Sequence, residues 1–195
     1  WLTHGIPASG MPAFKARLTR DERWSMINFL RAFADGFRAR VITPTIVPIH
    51  PWLVAPDFQY ETVRGESGSL SDFREHTAVL LVIPGDSSSK DRLQTLLAHA
   101  APWNKASVTL LVVGGDAPSS IALGADAIRA SYALYTRTLD VAGSRHALSP
   151  TTMHAEFLID RFGYVRARWL PSLEGGWDDL AALDLQIQQL SREPK

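Results

Sequence analysis

Two groups of residues in this chain carry side chains able to do chemistry. His154 follows Met153, and His146 lies a little upstream; imidazole and thioether donors together suit a soft or borderline metal such as copper. Asp86, Ser87 and Lys90 sit close together after an apolar run, and Asp160 follows a later one. A hydroxyl beside an amine and a carboxylate is the raw material of an activated nucleophile. The spacing is not that of a hydrolase elbow. The same residues also read as local structure: Ser87 or Ser88 as a helix cap, Asp86 as an acid at a helix start, Asp160 as the first residue of a turn. The chain holds no cysteine, so thiol–disulfide exchange and thiolate metal sites are excluded. There is no phosphate-binding loop, no Gly-x-Gly-x-x-Gly and no zinc-type spacing.

The elements that must position these groups follow from periodicity. The run AVLLVI (78–83) is continuously apolar, as expected of a strand buried on both faces, and VTLLVV (108–113) reads as a second buried strand. Residues 58–63 suggest a short strand before them. Residues 156–159 and 164–169 suggest a hairpin across Asp160-Arg161-Phe162-Gly163. A helix is expected from Ser88 to about Ala100 with Leu93, Leu96 and Leu97 inward. A second carries Ile128, Tyr132, Tyr135 and Leu139, and a closing one carries Leu180, Leu183, Ile187 and Leu190. This alternation predicts an α/β sandwich with a mixed central sheet flanked by helices. Trp103, Trp169 and Trp177 either line a groove or, as the default, pack in the core and at its rim.

Ahead of this domain lie two further units. In residues 1–37, Thr19-Arg20-Asp21-Glu22 reads as a capping box. Trp24, Ile27, Leu30 and Phe33 then recur at helical spacing up to Gly36, a stripe expected to be buried. Residues 38–53 form a Pro-rich linker; with Pro56 just beyond, Pro44, Pro48 and Pro51 rule out a helix or a central strand. Ile42, Ile46, Val47, Ile49, Trp52 and Leu53 suggest that it lies against the domain, which runs over 54–195.

The chain has 195 residues and formal net charge zero, so nothing general points to nucleic acid. Residues 1–50 carry seven Lys or Arg against three acids, a mildly basic arm that reads first as a solvated face. No stretch reaches the roughly 18–20 apolar residues of a membrane span. A start at Trp1 rather than Met suggests a piece of something longer.

The segments Val54-Ala-Pro-Asp-Phe58, Gly65-Glu-Ser-Gly-Ser-Leu-Ser-Asp-Phe73 and Phe157-Leu-Ile-Asp-Arg-Phe-Gly-Tyr-Val165 resemble TlpA-like and peroxiredoxin-like redoxins. The resemblance implies a thioredoxin-like fold over about 140 residues (a domain of common size). It also places Ser87 at the first thiol position of such proteins and Lys90 near the second. His154 falls at the position of their cis-proline. Both halves of the usual thiol site then depart from the pattern, so no catalytic residue is assigned. A remnant anion site at the helix N-terminus is one reading of Ser87. Replacement of a natural Cys at Ser87 is another, and would make the parent a thiol–disulfide or peroxide redoxin.

His4-Gly-Ile-Pro-Ala-Ser-Gly-Met-Pro-Ala-Phe14 and Leu18-Thr-Arg-Asp-Glu-Arg-Trp-Ser-Met-Ile-Asn-Phe-Leu30 resemble the C-terminal end of a class I cytochrome c domain. The resemblance makes Met11 a haem axial ligand if a longer parent carries CxxCH; within this chain Met11 reads as a packed loop methionine. A cytochrome-c-like tail before a redoxin-like domain resembles the C-terminal region of CopD-type copper-resistance membrane proteins. The order implies a place on the periplasmic side of a bacterial inner membrane, beside a parent membrane domain or a periplasmic redox or copper protein. The function expected is a non-catalytic thioredoxin-fold module acting in binding or docking. The alternative is a copper-binding module using His154 with Met153 or His146. Sco-type copper proteins, which are thioredoxin-like too, resemble that idea.

Overall fold

A computed structural model describes residues 3–20, 22–24, 26–27, 30, 39, 42–47, 53–85, 89–115, 117–136, 154–171 and 177–193. Among the described residues, seven strands form one sheet: β1 (Gln59–Thr62), β2 (Ser67–Ser69), β3 (Ala78–Ile83), β4 (Val108–Val113), β5 (Ser120–Leu123), β6 (Ala155–Ile159) and β7 (Val165–Trp169), in the spatial order β2-β1-β5-β4-β3-β6-β7. Among the described residues, helices α1 (Ser89–Lys105), α2 (Ala125–Tyr132) and α3 (Leu180–Arg192) accompany it. β3, β4 and β5 run parallel; β6 is antiparallel to β3, β7 to β6, and β1 to both β5 and β2. The mixed sheet flanked by helices is the architecture expected.

β3 is apolar throughout, and β4 at every residue but the half-buried Thr109, because both of their faces are covered. Leu80, Val82, Leu110, Val112 and Leu158 meet Leu96 and Trp103 of α1 and Leu183 and Ile187 of α3. Leu81, Ile83, Leu111, Val113 and Phe157 meet Ile128 and Tyr132 of α2 on the opposite face. Trp103 and Trp169 are core residues and line no groove.

Several expectations are corrected. β2 and β5 were not anticipated: Ser-Gly-Ser and Ser-Ile-Ala-Leu are too short and too mixed to show an alternation. α1 runs five residues past Ala100, through Pro102. A proline there forfeits one helical hydrogen bond, and burial of Trp103 with its indole N–H donated to Asp184 (2.6 Å) keeps the last turn in place. α2 starts earlier, at Ala125, and ends at Tyr132, with Tyr135 in a following turn; Leu139 lies outside the described residues.

The linker segment lies on the domain at its described residues. Ile42, Ile46 and Leu53 are buried, while Val47 is exposed. Arg168 N–H donates to Thr43 O (3.1 Å) and Val165 N–H to Leu53 O (2.8 Å). The segment therefore covers the open edge of β7, a place where a Pro-rich strand-like run is tolerated.

At the N-terminal end the capping box forms: Thr19 N–H donates to Glu22 (2.7 Å) and Glu22 N–H to Thr19 Oγ1 (3.2 Å). The stripe beyond it behaves differently from expectation, since Trp24 is 51% and Leu30 55% exposed and Ile27 is half-buried. A capping box closes over three residues and needs no partner surface, whereas an apolar stripe does. Phe33 and Gly36 lie outside the described residues. Among the described residues, no helix is long and apolar enough to cross a membrane.

Candidate functional site

His154 precedes β6, beside the first turns of α1. It is 3% exposed. β6 then places Glu156 two residues on, pointing to the same face of the sheet as Val82, its neighbour in register. That face is the one covered by α1, and Arg92 of α1 enters it. The guanidinium meets the carboxylate at two points, Nε to Oε1 at 2.7 Å and Nη2 to Oε2 at 2.8 Å. Its third arm, Nη1, donates to the Asp178 carbonyl at 2.9 Å. His154 Nε2 lies 2.9 Å from Glu156 Oε1. Trp177 closes the cluster, with its ring 5.2 Å from the His154 ring and 5.7 Å from the Arg92 guanidinium carbon.

The cluster is electrostatically self-contained. Glu156 is fully buried, and burial alone would push its carboxyl pKa up. The hydrogen bonds from Arg92 and His154 and the charge of Arg92 outweigh that effect, so the carboxyl is held below its ordinary value of 4.5. A carboxylate only accepts, so Nε2 of His154 is the donor toward Glu156. In a neutral imidazole the lone pair then resides on Nδ1, and Nδ1 is buried with no hydrogen-bond partner among the described residues. A buried polar atom without a partner is uncommon and marks a place where a further group fits. A carboxylate bonded to one ring nitrogen also orients the ring and fixes which nitrogen faces a further partner, the arrangement that supports metal-ligating histidines. Within this cluster, His154 is the residue that could hold a metal ion, through Nδ1. Among the described residues no group of three or more His, Cys, Asp or Glu assembles around a common point.

Of the residues singled out from sequence, His154 is at this site and Lys90 is exposed two positions before Arg92. Asp86, Ser87, Ser88, Met153 and His146 lie outside the described residues. Met11 is half-buried in a tight N-terminal loop, where its backbone pairs with Ile6 (Ile6 N to Met11 O, 3.0 Å). Asp160 does start a turn: Oδ1 accepts the N–H groups of Phe162 and Tyr164, both at 2.9 Å. Arg92 and Glu156 were not anticipated, although both left a trace. Arg92 lies four residues before Leu96, on the buried stripe of α1. Glu156 is the lone acid in a strand whose residues are all buried.

No family model matches the chain, and no curated protein matches it in sequence. Solved structures do resemble it. A Prx1a of Plasmodium yoelii, modified at its N-terminus, is 20% identical over 72% of this chain and 91% of its own, with a TM-score of 0.52. The mitochondrial 2-Cys peroxiredoxin of Plasmodium falciparum is 14% identical over 73% of this chain and 97% of its own, with a TM-score of 0.51. A thiol:disulfide interchange protein from Bacteroides sp. is 17% identical over 73% of this chain and 93% of its own, with a TM-score of 0.49. At these identities the likeness is one of fold, and the α/β sheet described above is a thioredoxin-like fold built without cysteine.

Proposed function

We propose that this chain is a thiol-independent thioredoxin-fold module that binds or docks, within a larger membrane-associated cytochrome or copper-handling protein on the periplasmic side of a bacterial inner membrane. The observation that carries the first part is the buried His154–Glu156–Arg92 cluster in a redoxin-like frame that has no cysteine. Thiol exchange needs a thiolate attacking a sulfur; an imidazole locked to a carboxylate offers a lone pair and no exchangeable bond. The larger parent is supported by the sequence of residues 4–30 alone. An insulin-reduction and peroxidase assay of the purified chain tests the non-catalytic reading: no turnover above buffer is expected, and clear turnover overturns it. The parent reading is tested on the gene upstream of Trp1. It requires a CxxCH, a haem ligated by Met11, and apolar spans; their absence removes it.

The open Nδ1 favours a second reading, in which copper(I) is the bound species and His154 is a donor with Met153 or His146. Thioether and imidazole suit that ion. Competition against a copper(I) chelator is expected to show binding that His154→Ala loses. Equal binding by the variant ends the reading.

A further inference from the structure

The buried cluster around His154 has a charge balance that decides which ions its open nitrogen accepts. Arg92 carries one positive charge and Glu156 one negative charge, and His154, donating from Nε2, is neutral. The charges cancel. Arg92 Nε and His154 Nε2 bond the same atom, Glu156 Oε1, at 2.7 and 2.9 Å. The guanidinium therefore lies within two hydrogen-bond lengths of the imidazole. Its Nη1 goes to the Asp178 carbonyl, so among the described residues Glu156 is the one carboxylate paired with Arg92. Lys90 and Asp91 of α1, and Asp178 and Asp179 ahead of α3, are exposed, where water and salt screen them.

An ion at Nδ1 is drawn in by a lone pair and not by net charge. Nδ1 is buried and has no partner among the described residues. Taking an ion out of water is costly unless it is paired, and the cost grows with the square of its charge. A monovalent ion leaves one uncompensated charge here, whereas a divalent ion leaves two, at roughly four times the cost. The Arg92 guanidinium also repels the divalent ion twice as strongly. Ligand type alone gives no such preference, since imidazole suits zinc and nickel as well as copper. Met153 and His146, the further donors of the copper reading, are uncharged and leave the balance unaltered.

We propose that Arg92 is a specificity-determining residue of the His154 site, excluding divalent cations and leaving it to a soft monovalent ion, copper(I). This rests on the copper(I) reading and adds the charge class to it. The test titrates the full chain, without oxygen, with copper(I) and with zinc(II) against chelators of known affinity. The His154 ring nitrogens are followed by nitrogen NMR. In the unaltered chain copper(I) is expected to move the Nδ1 resonance, and zinc(II) at the same free concentration to leave it in place. Arg92→Met turns the balance to one negative charge. Its zinc(II) affinity is expected to rise at least about tenfold, the order of one unit charge removed from nearby at an effective dielectric of about 20. Glu156→Gln, which keeps an acceptor for Nε2, moves the balance the other way and is expected to weaken copper(I) about tenfold by the same estimate. This second arm holds even where Arg92→Met does not fold. Zinc(II) at Nδ1 in the unaltered chain, or unchanged affinity in either folded variant, would overturn the role of Arg92 and leave the copper reading standing. An absence of copper(I) binding would remove both.

Discussion

Arg92 and Glu156, 64 residues apart in the chain, form a two-point ion pair between α1 and β6 with both side chains buried. A two-point pair of this kind is stronger and more directional than a single contact. Its value for stability lies mainly in what happens when half of it is removed. Arg92→Met is expected to cost about 3–5 kcal/mol, because the Glu156 carboxylate stays buried without its counter-charge. Adding Glu156→Gln in the same chain is expected to recover part of that loss while keeping an acceptor for His154. Urea unfolding of the two variants checks this; a cost below about 1 kcal/mol for Arg92→Met would show that the pair is not held away from water.

The same carboxylate makes stability depend on acidity. Its folded pKa lies below the ordinary 4.5. Near that pH the unfolded chain binds the proton more readily, so stability rises with pH there. The contribution is complete above about pH 4.5 and is lost as pH falls toward the depressed folded value. Glu22 and Asp72 shift the same way through bonds from Thr19 and Ser69, so acid unfolding of the unaltered chain sums several groups. Glu156→Gln isolates one of them. Its unfolding free energy is expected to vary less steeply with pH below 4.5 than that of the parent, and identical slopes would contradict the assignment.

Ser107 follows α1 in a left-handed conformation (φ 58°), the place where a helix commonly ends on glycine. Its backbone oxygen, not its side chain, makes the bonds to Ala78 and Thr77. Ser107→Gly is therefore expected to stabilise the protein by about 0.5–1 kcal/mol, the steric relief exceeding the added freedom of the unfolded chain. A raised melting temperature checks it.

Gln186 of α3 holds the linker segment. Its Oε1 accepts the buried Ile46 N–H at 2.8 Å. Gln186→Leu leaves that donor unpaired, and a loss of about 1–3 kcal/mol is expected. Hydrogen exchange is expected to quicken first over residues 42–47, before the sheet responds. Uniform quickening would place the effect in the core instead.

Much of the frame was legible in the residues themselves. Strands β3 and β4 announce themselves as strongly apolar runs, the β6–β7 turn through Asp160 and Gly163, and α3 by its spaced leucines. Such signals are local: they come from the two-residue and 3.6-residue periods of the backbone and from the few residues that tolerate a turn. The lack of cysteine likewise disposed of thiol exchange at once.

Tertiary structure alone decided the rest. Nothing near Arg92 in the chain shows that a surface-type residue is buried, because its partner arrives on a strand beyond β4, β5 and α2. β5 exists only because Val112 and Val113 on one side and β1 on the other offer their backbone groups to four residues too few to declare a strand. The linker's prolines said what it could not be; the open edge of β7 determined where it lies. His154 was visible as a residue able to bind, but Glu156 determines which of its nitrogens is left open. Charge pairing and edge covering join groups far apart in the chain, and no short-range period encodes them.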